Sequence, residues 1–152
     1  MRELLFILIL NYMHKDILIV EDNEDDLILT QRALKKNNVL NNIIVARDGQ
    51  EALDLIYPVE GKKKLDLALL LTDLNMPRLG GLDLLKRLQQ DPDFLHIPKV
   101  ILTTSDEEDD MVKGYANGAS SFVRKPVDFH QFSEKVKQLG IYWLMVNETI
   151  RK

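Results

Sequence analysis

The stretch that decides the fold is Leu67-Ala-Leu-Leu-Leu-Thr-Asp73. Five apolar residues run without interruption, and a hydroxyl and a carboxylate end the run. A strand with one wet face alternates apolar with polar, so an unbroken run this short suits a parallel strand covered on both faces. Similar short runs lie on either side, at 17–20 (Ile-Leu-Ile-Val), 43–45, 100–102 and 122–123. The segments between them carry helix signals. Asn23 is a candidate N-cap, followed by Glu24, Asp25 and Asp26, with Lys35 and Lys36 at the far end; both charge sets suit a helix dipole. Asp48 with Glu51, and Ser105 with Glu108, have the spacing of a capping box. Gly81 precedes a helix expected over 82–90, which Asp91-Pro92 stops. Asn117-Gly118 ends the fourth helix, and Asp128 opens the fifth. Strand and helix alternate five times, which predicts a single doubly wound α/β domain.

Composition bounds what such a domain does. The chain has 152 residues, enough for one well-buried core. Lys and Arg total 20 against 24 Asp and Glu, a formal charge of −4 that argues against a nucleic-acid partner. There is no cysteine, so disulfides, thiolate zinc sites and cysteine nucleophiles are excluded, and a cytoplasmic location fits. Three scattered histidines, His14, His96 and His130, have no metal-ligand spacing. The apolar residues 4–10 are too few to span a membrane, which needs roughly 20. Asn11, Tyr12 and Met13 are too large for a signal-peptide cleavage site. Residues 1–12 read as an appendage or an over-called start, residues 13–140 as the domain, and residues 141–152 as a C-terminal helical extension. The triplet Lys62–64 reads as part of a solvated loop.

In a doubly wound sheet, ligands bind beyond the C-terminal ends of the strands. Those ends carry Glu21-Asp22, Asp73, Thr103-Thr104-Ser105 and Lys125-Pro126. Each has an ordinary reading alone: a helix-start acidic pair, a turn residue, a strand-end hydroxyl, a surface lysine. Together they place three carboxylates, hydroxyls and one ammonium at one rim. Oxygen ligands without nitrogen or sulfur select Mg2+. A hydroxyl and an ammonium beside it suit a phosphoryl group, and an aspartate can attack phosphorus to form an acyl phosphate. The central strand makes Asp73 the candidate nucleophile.

These blocks resemble the receiver domains of bacterial response regulators. The resemblance rests on Ile17-Leu-Ile-Val-Glu-Asp-Asn23, on Asp73-Leu-Asn-Met-Pro77 followed by Gly81, on Val100-Ile-Leu-Thr103, and on Lys125-Pro126 after Gly118-Ala119. It covers about residues 15–140, with the blocks in family order. It implies a flavodoxin-like, CheY-like (βα)5 domain with five parallel strands in the order 2-1-3-4-5. It implies that Asp73 is the phosphoacceptor, and that Glu21, Asp22, Asp73 and the backbone carbonyl of Asn75 bind Mg2+. Thr103 and Lys125 would contact the phosphoryl group, and Thr103 and Phe122 would form the switch. A cis Lys125-Pro126 bond would aim the lysine into the site. The implied partner is a sensor histidine kinase or phosphotransfer protein, of phytochrome type by similarity of the connection after Tyr57, the Thr103-Thr-Ser105 run and the Tyr142-Trp143-Leu144 tail. Such a chain catalyses only its own phosphotransfer and dephosphorylation, and signals to a protein partner. One departure is Gly80-Gly81, where Asp-Gly is usual.

Two other functions share parts of the pattern. A flavodoxin-like electron carrier would need a hydroxyl- and glycine-rich phosphate loop where Glu21-Asp22-Asn23-Glu24-Asp25-Asp26 stands. A small-phosphoester hydrolase would need an acid/base residue where Asn75 stands. Finally, Phe129, Phe132, Val136, Leu139, Trp143, Val146 and Ile150 follow a heptad stripe. Its first half reads as core. Its second half, anchored by Trp143 and Val146, predicts a homodimer.

Overall fold

The computed structural model describes residues 2–4, 15–37, 39–59, 65–104 and 108–138. The expectations for residues 5–12, for Lys62–64, for Ser105 and for the tail with Trp143 and Val146 fall outside the described residues. Strand β1 (Asp16–Val20) leads to helix α1 (Glu24–Lys36), β2 (Ile43–Ala46) to α2 (Gly49–Ile56), and β3 (Leu67–Asp73) to α3 (Gly81–Leu88). After a 3-10 turn at Pro92–Phe94 come β4 (Lys99–Thr103), α4 (Glu108–Ala116), β5 (Ser121–Arg124) and α5 (Phe129–Gln138). The strands are parallel, in the order β2-β1-β3-β4-β5. Among the described residues, no helix is long and apolar enough to cross a membrane.

The unbroken apolar runs follow from two covered faces. Successive strand residues point to opposite sides. Ile17, Ile19, Leu69, Leu71, Val100 and Leu102 pack with Leu27, Ala33 and Leu34 of α1 and Phe132 of α5. Leu18, Val20, Leu70, Ile101 and Phe122 pack with Ala52, Leu53 and Ile56 of α2 and Leu84, Leu85 and Leu88 of α3. All seven residues of β3 are buried. Each large apolar side chain so buried stabilises the fold by about 1.5–3 kcal/mol before the entropy of ordering is set against it.

Element ends obey local chemistry, with some departures from expectation. Asn23 caps α1, its Oδ1 accepting from the Asp26 N–H at 3.0 Å. Helix α3 stops at Leu88 rather than 90, because the Gln90 and Asp91 N–H groups bond three residues back, to Arg87 and Leu88. That tighter turn leads into Pro92, which holds Asp91 extended. Strand β4 begins one residue early, at Lys99, which is buried. Its ammonium donates to the carbonyls of Ile97, at 2.9 Å, and Phe94. Burial pushes its pKa down.

Asp48 ties two segments together. One carboxylate oxygen accepts from the Glu51 N–H at 2.8 Å and caps α2. The other takes the Arg78 guanidinium at 2.7 Å. Arg78 lies in the loop after β3, in a left-handed conformation at φ 65°. Glu51 reaches back to the N–H of Arg47, at 3.1 Å. A capping box would use the N–H of Asp48, so only half of the expected box forms. At the other edge, the Phe122 ring lies buried beneath α4, edge-on to Tyr115 with centroids 5.0 Å apart. Gly114 permits this approach: a Cβ there would stand 2.5 Å from Phe122 Cζ and 2.9 Å from Ile101 Cδ1.

Asp48→Ala should cost about 1–2 kcal/mol in urea unfolding at neutral pH, since it removes a cap. The Arg78 hydrogen bond holds the Asp48 carboxyl below the usual carboxylate range. Its contribution is therefore complete above the unfolded value of about 3.9 and fades as pH falls through the folded one. The gap between wild type and mutant should narrow in acid; a gap constant with pH would contradict the assignment. For Gly114→Ala, better helix propensity would add about 1 kcal/mol, whereas overpacking costs about 1–3 kcal/mol. Weakened ring-to-ring Overhauser contacts between Tyr115 and Phe122, with no gain in stability, are expected. A stabilised variant with unchanged contacts would contradict this packing.

Candidate functional site

Parallel strands deliver their C-terminal residues to one edge, and the charged residues meet there. Glu21 follows β1 and is fully buried; Asp22, beside it, is exposed. Asp73 ends β3, and Thr103 ends β4; both are buried. One carboxylate oxygen each from Glu21, Asp22 and Asp73 lies within 4.8 Å of the others. Lys125 follows β5 across a cis bond to Pro126, and its side chain is only 6% exposed. Its Nζ lies 2.5 Å from Glu21 Oε1, 3.0 Å from Asp26 Oδ2 and 3.2 Å from Asp73 Oδ2.

Backbone groups fix the same residues. Asp73 Oδ1 accepts from the Leu74 N–H at 2.7 Å, leaving Oδ2 facing the lysine. The Lys125 N–H donates to the Thr103 carbonyl at 2.9 Å, which ties the ends of β4 and β5. The loop after Asp73 closes where the Gly81 N–H donates to the Leu74 carbonyl at 2.9 Å. A Cβ on Gly81 would collide with the Asp73 carbonyl oxygen, so α3 can start this close only with glycine. Asn75 is exposed in that loop.

The electrostatics are those of too many acids around one base. Burial pushes the Glu21 carboxyl up to about 7, the hydrogen bond from Lys125 opposes it, and the charge of Asp73 adds to it. Burial alone would lower Lys125; hydrogen bonds to Glu21 and Asp26 and the charge of Asp73 outweigh it and hold the ammonium well above its ordinary value. Three carboxylates thus share one ammonium, and a fourth, Asp22, stands beside two of them. An all-oxygen donor set with surplus negative charge fits a hard divalent cation such as Mg2+.

Glu21, Asp22, Asp73, Thr103 and Lys125 thus all lie at the rim that their strand-end positions predicted. Asp26 does too, although the sequence reading placed it among helix-start acids. A signal was available: Leu27, Thr30, Ala33 and Leu34 are the buried face of α1, and Asp26 stands four residues before Thr30, one turn along that face. The Arg78–Asp48 pair had no such signal, because it depends on loop geometry.

Residues 17–137 match the response regulator receiver domain family. The probable methanogenesis regulatory protein FilR2 of Methanothrix harundinacea is 33% identical over 133 residues, covering 88% of this chain and 86% of that protein. The structure of the bacteriophytochrome response regulator RtBRR is 40% identical with a TM-score of 0.76, over 86% of this chain and 81% of that one. The Mn(2+)-bound form of response regulator Rcp1, a Synechocystis protein, is 32% identical with a TM-score of 0.68, over 86% and 94%. A match across most of the chain, on a CheY-like sheet with its acidic rim, makes this protein a member of the response regulator receiver family of two-component systems.

Proposed function

We propose that the Asp73 carboxylate accepts a phosphoryl group from the phosphohistidine of a sensor kinase or phosphotransfer protein, and that a protein partner reads the resulting change of shape. The observation that carries this reading is the setting of Asp73: one oxygen held by the Leu74 N–H, the other toward Lys125, beside the oxygens of Glu21 and Asp22. In the transfer, an Asp73 oxygen bonds to phosphorus while the bond from phosphorus to the histidine nitrogen breaks. The other ring nitrogen of the phosphohistidine carries a proton, so the imidazole leaves neutral, and an acyl phosphate remains on Asp73. Lys125 would offset the new negative charge, and the Thr103 hydroxyl would donate to a phosphoryl oxygen. Glu21, Asp22, Asp73 and the Asn75 carbonyl would hold Mg2+, which supplies charge neutralisation for the incoming phosphoryl group. The Mn(2+)-bound Rcp1 relative supports a metal at this rim.

The switch would run through the ends of β4 and β5. Movement of Thr103 toward the phosphoryl group alters the space next to Phe122, which already packs against Tyr115 on the exposed side of α4. Similarity to a bacteriophytochrome response regulator supports a phytochrome-type kinase as the input. The carboxylates of Glu21 and Asp22 stand where an electron carrier would need to admit a flavin phosphate.

Incubation with acetyl phosphate and Mg2+ should add one phosphoryl group, and Asp73→Asn should abolish it, as read by intact mass. Undiminished labelling of that variant would sink the acceptor assignment. Asp22→Ala should weaken Mg2+ binding by at least about tenfold. Asp25→Ala, at an exposed helix position, should leave binding unchanged. Equal losses in calorimetric titrations would point to a diffuse acidic surface instead of a coordinated ion.

A further inference from the structure

We propose that Asp26 is a positioning residue for phosphoryl transfer: it holds the Lys125 ammonium in place while Glu21 and Asp73 give up their contacts to it. The proposal rests on the reading of Asp73 as acceptor. An ammonium has three N–H donors. Around Lys125 Nζ stand three carboxylates, Glu21, Asp26 and Asp73, at 2.5, 3.0 and 3.2 Å. Glu21 and Asp73 also belong to the trio whose oxygens gather within 4.8 Å, so a metal ion competes for them. Asp73 in addition must turn an oxygen to phosphorus. Asp26 is outside that trio, and Lys125 is the cation it faces.

The backbone of Asp26 is built for this task. Its N–H donates to Asn23 Oδ1 at 3.0 Å, and its carbonyl accepts from Thr30 Oγ1 at 2.8 Å, with Thr30 fully buried. The side chain turns inward and is 23% exposed, while its neighbour Asp25 faces solvent. At the other end, Lys125 is fixed by its N–H bond to the Thr103 carbonyl. Between these two points runs a flexible four-carbon stem, which orders an ammonium poorly unless its tip is held. Asp26, outside the metal trio, holds the tip and leaves the other two N–H donors for the phosphoryl oxygens. It touches neither phosphorus nor metal, so its effect passes through Lys125.

The test compares wild type with Asp26→Ala, Asp26→Glu and Asp25→Ala. Acetyl phosphate labelling is followed in time across a Mg2+ titration. Asp26→Ala should lower the maximal labelling rate by about tenfold or more, as expected when a charged group loses its alignment. It should shift the Mg2+ half-saturation point far less than Asp22→Ala does. Asp26→Glu should recover part of the rate, and Asp25→Ala should match wild type. The second readout is the side-chain ammonium signal of Lys125 in proton–nitrogen NMR of the full chain with saturating Mg2+, which competes with the lysine for Glu21 and Asp73. It should be protected in wild type and lost in Asp26→Ala. A wild-type rate in Asp26→Ala would overturn the proposal, as would a rate loss matched by equal losses in Mg2+ affinity and melting temperature. If Asp73→Asn labels like wild type, the acceptor reading fails by itself. The ammonium signal then still decides whether Asp26 holds Lys125: persistence in Asp26→Ala overturns the tether, and loss supports it.

Discussion

A single buried ammonium makes the functional edge of this protein physically tolerable. Glu21 is fully buried and Asp73 nearly so, and carboxylates cannot be held that way without a cation. Lys125 supplies one at contact distance to both. Its origin explains why a lysine is needed. β5 lies two strands from β3, with β4 between them, and neighbouring strands are roughly 4.8 Å apart. The charge must therefore cross the end of β4, and the long stem of lysine reaches across it until the Asp73 carboxylate meets the ammonium at 3.2 Å. The arrangement is incomplete by design of charge: four carboxylates outnumber the ammonium, so the rim favours a metal ion, and a phosphoryl group then restores a second claim on the lysine.

The same constraint links fold to signalling. The sheet order brings β1, β3, β4 and β5 side by side, and every one of their ends contributes to the rim. The Lys125 N–H bonded to the Thr103 carbonyl joins two of those ends directly. In the proposed switch, a redistribution of the lysine's contacts would act on this junction, next to Phe122 on β5. On the opposite side of the rim, the loop after Asp73 is pinned by Arg78 to Asp48 and by the tight start of α3 at Gly81. One side of the acceptor is thus clamped, and in the proposed switch a local charge change would act on the other side, where the Lys125 N–H joins β5 to β4.

Much of this was legible in the sequence, for physical reasons. Residues 67–73 could be read as a central strand because two covered faces demand an unbroken apolar run. Glu21, Asp22, Asp73, Thr103 and Lys125 could be placed together because parallel strands end on one edge. Asp26 was hidden because an acid in a first helical turn has a sufficient reason to be there; only the phase of the buried face of α1 reveals that it points inward. The clamp of Arg78 on Asp48 depends on a left-handed residue in a loop, which no periodicity announces. The end of α3 depended on whether Gln90 and Asp91 would close a tighter turn ahead of Pro92, a choice of fractions of a kcal/mol that propensity does not resolve.

The central claim is that the Lys125 charge is what lets the buried carboxylates coexist. The direct measurement is the unfolding free energy of Lys125→Met against wild type, with and without Mg2+. Removing one partner of a buried ion pair costs about 3–5 kcal/mol, so the variant should be destabilised by that order in metal-free buffer. Added Mg2+ should close much of the gap, because a second cation then serves the same acids. A Lys125→Met protein as stable as wild type in metal-free buffer would contradict the account.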